Sequence, residues 1–126
     1  MSELAVVLVV DDDRLTAELG AAVLEEAGYG ALIAEGGVEA LEMLAAQPAI
    51  RVVVSDLHMP LLDGLALHTE MRLQGHRQPF VLLSANDVGD LLAEHPGIAA
   101  TLLKDEHLLE VLPEAVARVL GGGNGD

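Results

Sequence analysis

Five short apolar runs, each followed by a stretch with helical periodicity, limit what this chain can fold into. The first run reads LAVVLVV without polar alternation, as expected for a strand that is buried on both faces of a sheet. The third run is mostly β-branched, which is typical of a central strand. The predicted strands span residues 4–10, 31–34, 52–55, 79–84 and 98–103.

Amphipathic segments follow these runs and predict helices. The helices span residues 14–27, 38–46, about 64–74, 87–94 and 106–120. Pro113 lies inside the last pattern, so this helix either kinks there or begins near Leu112 with Pro113 in its first turn. Because strands and helices alternate five times, the sequence predicts an α/β fold. One parallel sheet would be covered by helices on both faces and joined by right-handed crossovers.

Length and composition fit a single domain. The chain has 126 residues, 52% of them hydrophobic, which is enough to bury one core, and it contains no internal repeat. We expect the folded domain to span residues 1–120. The remaining segment, GGGNGD at 121–126, is too rich in glycine to order itself and predicts a flexible tail or a linker stub. The sequence leaves open whether the domain acts alone or belongs to a larger or hybrid protein.

The charge of the chain excludes several classes of partner. The 21 acidic residues against 6 lysines and arginines give a net charge of −15, which repels nucleic-acid backbones and anionic membranes. The absence of cysteine excludes disulfides and thiolate nucleophiles. No apolar run approaches the length of a membrane span, and no signal-peptide pattern is present. We therefore expect a cytoplasmic protein that binds neither nucleic acid nor membranes by itself.

Polar side chains stand where the predicted strands end. They are Asp11, Asp12 and Asp13 after the first strand, Asp56 after the third, Ser84 at the end of the fourth and Lys104 after the fifth. In a doubly wound sheet these ends meet in one crevice. Asp13 is better explained as the N-cap of the first helix, and Asp63 as the N-cap of the third.

The remaining residues predict a site for a phosphoryl group. Clustered carboxylates repel one another unless a cation lies among them, and ligation by oxygen alone favours Mg²⁺ over zinc. An ammonium and a hydroxyl at the same place supply further contacts for phosphoryl oxygens. Asp56 is the candidate nucleophile, because an aspartate carboxylate can be phosphorylated.

In order and spacing, these residues resemble the receiver domain of two-component response regulators, the CheY-like superfamily. The likeness depends on four segments taken together, VLVVDDD, VVVSDLHMPLLDG, LLSA and LLKD, at residues 7–13, 52–64, 82–85 and 102–105. It covers residues 4 to about 120. The resemblance implies a flavodoxin-like (βα)5 fold with strand order 2-1-3-4-5.

The resemblance also implies a reaction. Asp56 would accept a phosphoryl group from a phosphohistidine on a sensor histidine kinase or a phosphotransfer protein. Ser84 and Lys104 would hold the phosphoryl oxygens, and the aspartyl phosphate would later hydrolyse by in-line attack of water. The chain would then catalyse only its own phosphotransfer and autodephosphorylation, and would signal to a downstream effector protein or domain.

A Mg²⁺ cofactor is implied at the same place. Asp12 would bind it directly and Asp11 through water, with the Asp56 side chain and the His58 backbone carbonyl as further ligands. His58 lies two residues beyond Asp56, where it can also affect the access of water to the phosphoryl group. By analogy alone, a homodimer would use the fourth helix, the fifth strand and the fifth helix.

Two positions depart from the pattern of the family. Asp105 stands where a proline commonly follows the lysine; we predict a trans Lys104–Asp105 peptide, because a cis bond before a non-proline residue costs roughly 3 kcal/mol. Its charge could also compete for Lys104. Thr101 replaces the usual tyrosine or phenylalanine of the fifth strand, so a switch that begins at Ser84 cannot be completed by a ring.

These departures keep an alternative open, namely a docking module of the same fold that acts without phosphorylation. A Mg²⁺-dependent phosphatase is disfavoured, because it would need a second acid where His58 stands. The five histidines show no spacing typical of metal ligands and are expected at the surface. They are His58, His68, His76, His95 and His107.

Overall fold

A computed structural model describes residues 4–122. Five strands and five helices alternate along this part of the chain. In order they are β1 (Val6–Val10), α1 (Arg14–Glu26), β2 (Gly30–Ala34), α2 (Gly37–Ala46), β3 (Ile50–Asp56), α3 (Gly64–Leu73), β4 (Phe80–Ser84), α4 (Gly89–Ala93), β5 (Ala100–Leu103) and α5 (Leu108–Gly122).

The strands form one parallel sheet in the order β2-β1-β3-β4-β5. The predicted fold class and strand order are therefore confirmed. In this register Val10 pairs with Ser55 across β1 and β3, and Asp56 pairs with Leu83 across β3 and β4. The carboxyl ends of the three central strands consequently lie side by side.

The sheet separates two hydrophobic cores, because successive side chains of a strand point to opposite faces. Leu8, Val53 and Leu82 face α2, α3 and α4, where Leu44, Leu67 and Met71 complete the packing. Val7, Val9, Val54 and Leu83 face α1 and α5, where they meet Leu24, Leu112 and Val116. Both faces are thus covered, which explains the unbroken apolar strands in the sequence.

Helix N-caps occur where they were predicted. The Asp13 carboxylate accepts hydrogen bonds from the Leu15 and Thr16 backbone amides, and the Asp63 carboxylate accepts one from Ala66. Among residues 4–122, no helix combines the length and apolar character that crossing a bilayer requires.

Helix α5 differs in its bounds from the segment predicted at residues 106–120. Helix α5 begins at Leu108 and runs through Pro113, so it does not begin near Leu112 with Pro113 in its first turn. It also continues to Gly122, two residues into the predicted tail, while residues 123–126 lie outside the described residues.

His68 is the other correction, because it is buried rather than exposed at the surface. It lies on α3 beside Leu67, with Met71 one turn away, and only 6% of it is exposed. The ring packs edge-on against Phe80 of β4, with the centroids 5.0 Å apart.

Candidate functional site

The end of β1 supplies two neighbouring carboxylates with different environments. Asp11 is buried, and its backbone amide donates to the Ala34 carbonyl at the end of β2. One carboxylate oxygen of Asp11 accepts a hydrogen bond from the Asp13 amide at 2.8 Å. Asp12 is exposed, so its side chain is open to a ligand from solvent.

Asp56 is the last residue of β3, and the surrounding backbone is closely packed. The Leu57 amide donates to the Leu83 carbonyl at 2.8 Å, and the Gly64 amide donates to the Leu57 carbonyl at the same distance. A Cβ atom on Gly64 would lie 2.5 Å from the Asp56 carbonyl oxygen, so this position has no room for a side chain. The peptide bond between Asp56 and Leu57 is therefore packed closely between β4 and Gly64.

Lys104 joins the two buried carboxylates. Its Nζ lies 3.2 Å from Oδ2 of Asp11 and 3.2 Å from Oδ2 of Asp56. Its backbone amide donates to the Ser84 carbonyl at the end of β4. Residues from β1, β3 and the segment after β5 thus converge on one ammonium group.

The pKa values of this cluster reflect burial and charge together. Burial raises the pKa of Asp11 above its ordinary value of 3.8, although the Asp13 amide and Lys104 oppose the shift. Burial lowers the pKa of Lys104, but the attraction of Asp11 and Asp56 outweighs it and leaves the value above 10.5. Lys104 is therefore an ammonium at neutral pH.

The arrangement fits an oxygen-liganded cation. Asp11, Asp12 and Asp56 each offer a carboxylate oxygen, and these atoms lie within 4.8 Å of one another. Three formal negative charges then face one ammonium, so a divalent cation would relieve their repulsion. Carboxylate ligands with open positions for water are the set that Mg²⁺ commonly uses in proteins. His58 lies exposed in the following loop, two residues beyond Asp56.

Ser84 lies at the same edge of the sheet, but its hydroxyl is bonded within its own loop. It donates to the Asn86 carbonyl at 2.8 Å and accepts from the Asn86 amide at 3.1 Å. Asn86 was not among the predicted site residues, although a serine hydroxyl two residues before a backbone amide commonly forms such a local turn.

The two departures from the family pattern have distinct structural outcomes. Within residues 4–122 every peptide bond is trans, as predicted for Lys104–Asp105. The Asp105 carboxylate accepts a hydrogen bond from the His107 amide. Among the described residues it forms no ion pair with Lys104, so, contrary to expectation, it does not compete with Asp11 and Asp56 for the ammonium. Thr101 and Ser84 both line a cavity of about 180 Å³ beside β5.

Comparison with known proteins decides the family. The family model described as "Response regulator receiver domain" matches residues 7–113. The chain belongs to this family. It is thus a receiver domain of the type used by two-component response regulators, as the sequence resemblance indicated, and the strand-end residues above lie at its carboxyl edge.

Individual relatives agree with this assignment. The receiver domain is 42% identical over 81 residues to response regulator MprA of Mycobacterium ulcerans, a match that covers 64% of this chain and 34% of MprA. The chain thus spans about a third of the length of the curated relatives it matches.

Solved structures match almost the whole fold. The receiver domain of putative NarL from Mycobacterium tuberculosis has a TM-score of 0.84 at 29% identity, covering 96% of this chain and 99% of that one. Response regulator TrrA of Thermotoga maritima, solved in complex with Mg²⁺-BeF, has a TM-score of 0.82 at 29% identity, covering 93% and 100%.

Proposed function

We propose that this receiver domain accepts a phosphoryl group on Asp56 in a two-component system. The observation that carries the proposal is the position of Lys104, whose ammonium lies 3.2 Å from carboxylate oxygens of both Asp56 and Asp11. A phosphoryl group on Asp56 would put its oxygens within reach of this cation. Hydrogen bonds between an ammonium and a phosphoryl oxygen are strong, because both groups are ionised.

The reaction follows from the groups present. A carboxylate oxygen of Asp56 attacks the phosphorus of a phosphohistidine, so a P–O bond forms as the P–N bond breaks and the histidine leaves. In hydrolysis, water attacks the phosphorus and the P–O bond to Asp56 breaks, which restores the Asp56 carboxylate and releases inorganic phosphate. Lys104 holds a phosphoryl oxygen in both steps, and Ser84 holds another once its hydroxyl turns away from Asn86.

Asp11, Asp12, Asp56 and the backbone carbonyl of His58 would hold Mg²⁺. When bound, this ion supplies positive charge that neutralises phosphoryl oxygens beside Lys104. The three carboxylates within 4.8 Å of one another support this assignment, as does their all-oxygen chemistry. The exposed Asp12 supports direct binding from solvent, while the buried Asp11 is suited to a ligand role through water.

The proposed donor is a sensor histidine kinase or a phosphotransfer protein. An apolar cavity of about 250 Å³ opens beside Asp11 and Lys104, between α1 and α5, and its lining includes Leu19 and Leu109. Both leucines are partly exposed. This surface supports docking of a protein donor next to the nucleophile, since apolar side chains in a concave site favour burial by a partner.

The output would be a changed protein-interaction surface that a downstream effector protein or domain reads in the cytoplasm. A homodimer through α4, β5 and α5 remains an expectation by analogy. The cavity beside Ser84 and Thr101 supports movement of this region, because it leaves space where the loop after β4 can shift.

A direct test uses Mg²⁺ with acetyl phosphate and records the intact mass. We expect the mass of one phosphoryl group to be added to the wild type and to be absent from Asp56→Asn. The matched control is Asp63→Asn, which changes another acid of the same loop and keeps a side chain able to cap α3. A phosphoryl adduct that persists in Asp56→Asn contradicts the proposal.

Addition of a beryllofluoride mimic to the wild type provides a second readout by NMR. Shifts centred on β3, β4 and the residue after β5 are expected. The absence of both the adduct and the shifts would instead favour the alternative, a receiver-like docking module that acts without phosphorylation.

A further inference from the structure

The imidazole of His68 lies buried in the core of the domain. The residue is 6% exposed, and its Nε2 atom is buried without a hydrogen-bond partner among residues 4–122. The ring packs edge-on against Phe80. A buried polar atom without a partner is unusual in a folded protein and calls for an explanation.

The connection between α4 and β5 covers this ring. A Cβ atom on Gly97 would lie 3.2 Å from Cε1 and 3.5 Å from Nε2 of His68, so the Gly97 backbone passes directly over the imidazole. The connection is otherwise weakly attached: Ala99 donates one hydrogen bond to the Phe80 carbonyl at 2.9 Å, and Ile98 is partly buried against the core. The connection thus packs on α3 through the His68 ring.

The groups around the ring disfavour a charged imidazole. Burial lowers the pKa of His68 below its ordinary value of 6.5, and Arg72 of the same helix and His95 of the connection lower it further. A hydrogen bond with the Gly97 backbone opposes these effects, but the pKa stays below its ordinary value. Strand β4 contributes Phe80, which does not titrate. In this part of the chain the ring thus meets positive or titratable groups and an apolar ring, but no carboxylate acts on it.

We propose that His68 is a proton-sensitive latch, which holds the connection at residues 94–99 against α3 while the ring is neutral and releases it when the ring is protonated. Protonation gives both ring nitrogens an N–H and places a positive charge in a buried position close to Arg72 and His95, at a cost that the hydrogen bond with the Gly97 backbone does not offset. Lifting the connection exposes the ring to water and removes this penalty. The latch acts at α3 and needs no chemistry at Asp56.

The sign of the effect follows from proton linkage. The open form has an exposed histidine that binds a proton near pH 6.5, whereas the closed form binds it only at lower pH. Opening is therefore favoured as the pH falls below 6.5, until the closed form is protonated as well. Because the connection leads into β5, acidification would loosen the α4–β5 side of the domain while α1 and β1 stay closed.

Amide hydrogen exchange of the whole protein, followed by NMR, tests the latch. We expect the protection factor of the Ala99 amide to fall between about pH 7.5 and about pH 5.5, by a factor whose upper limit is about ten because the lower pH is one unit below the ordinary histidine pKa. The Leu8 amide of β1 should keep its protection over the same range. In His68→Leu, which retains an apolar side chain at this position, the protection of Ala99 should stay constant.

The matched control is His95→Gln, which removes the other histidine near the ring and should leave most of the pH response. The same fall in His68→Leu as in the wild type would overturn the proposal. If His68→Leu does not fold, two measurements on the wild type test the proposal: the titration of the His68 ring, and the pH dependence of exchange at Ala99 and Leu8. A ring that titrates at or above pH 6.5, or equal changes at Ala99 and Leu8, would be inconsistent with a latch.

Discussion

The ammonium nitrogen of Lys104 lies 3.2 Å from a carboxylate oxygen of Asp56, a contact between the segment after the last strand and the end of the central strand. The same nitrogen is equally close to Asp11. One side chain thus compensates part of the charge of the acidic cluster, and the stability of the domain depends on the charge state of Lys104.

Raising the pH should remove this compensation. The folded-state pKa of Lys104 lies above 10.5, so its contribution is fully present below pH 10.5 and is lost as the pH rises through the raised value. In urea unfolding from about pH 9 to about pH 12, around the ordinary lysine pKa, we expect the wild type to lose about 1 to 3 kcal/mol more than Lys104→Met. Arg118→Met, an exposed cation on α5, should follow the wild type. Parallel curves for wild type and Lys104→Met would contradict the prediction.

Magnesium should stabilise the fold by occupying the carboxylate cluster. At a concentration about 100 times its Kd, a ligand that binds only the folded state raises the free energy of unfolding by about 2.7 kcal/mol. We expect Asp12→Asn to lose most of this gain, because one of the three carboxylates is removed. Asp63→Asn should keep it. The measurement is chemical unfolding with and without Mg²⁺, and an equal gain in Asp12→Asn would argue against the site.

Leu61 should be a position where glycine is favourable. Its φ is +71°, in the left-handed region, and its side chain is 99% exposed, so no packing is lost on truncation. Relief of about 1 to 2 kcal/mol of strain exceeds the cost of about 0.5 to 1 kcal/mol for the greater freedom of unfolded glycine. Leu61→Gly should therefore unfold at slightly higher urea concentration, and Leu61→Asn should behave similarly. A destabilised Leu61→Gly protein would show that the leucine makes a contact that its exposure does not reveal.

Gly64 and Gly36 should respond differently to alanine. A Cβ on Gly64 would meet the Asp56 carbonyl oxygen at 2.5 Å, whereas nothing lies within 4 Å of the corresponding position on Gly36. Gly64→Ala must displace the backbone of Asp56 and should cost about 1 to 3 kcal/mol. Gly36→Ala meets no atom and should cost less than about 1 kcal/mol, because it replaces only the glycine N-cap of α2. Circular dichroism during urea unfolding measures both, and similar values for the two variants would contradict the expected steric conflict.

The sequence pattern was sufficient to predict five alternating strands and helices, whereas the strand order came from the resemblance to receiver domains. The pattern was less informative about where elements begin. Helix α4 starts at Gly89 rather than residue 87, because the Asp87 carboxylate accepts a hydrogen bond from the Gly89 amide and forms a turn first. Asp105 similarly delays α5 by accepting from the His107 amide. Such local hydrogen bonds compete with helix formation and leave no periodic signal.

The positions of the site residues were predictable, but their contacts were not. Parallel strands bring Asp11, Asp56 and Lys104 to one edge whatever their rotamers, so order along the chain was enough to group them. The sequence was equally compatible with a Ser84 hydroxyl that points towards the carboxylates, whereas in the structure it is hydrogen-bonded to the backbone of Asn86. The burial of His68 was predictable, because its spacing from Gly64 and Met71 places it on the buried face of α3.

The pair of hydrogen bonds between Ser84 and Asn86 has a kinetic consequence. An oxygen that accepts a hydrogen bond from the Ser84 hydroxyl must displace the Asn86 carbonyl, while the hydroxyl oxygen can still accept from the Asn86 amide. Recruitment of the hydroxyl therefore breaks one of the two hydrogen bonds that close this turn. The speed at which this domain responds would then be governed by the opening of a three-residue turn, whatever the affinity of the bound group.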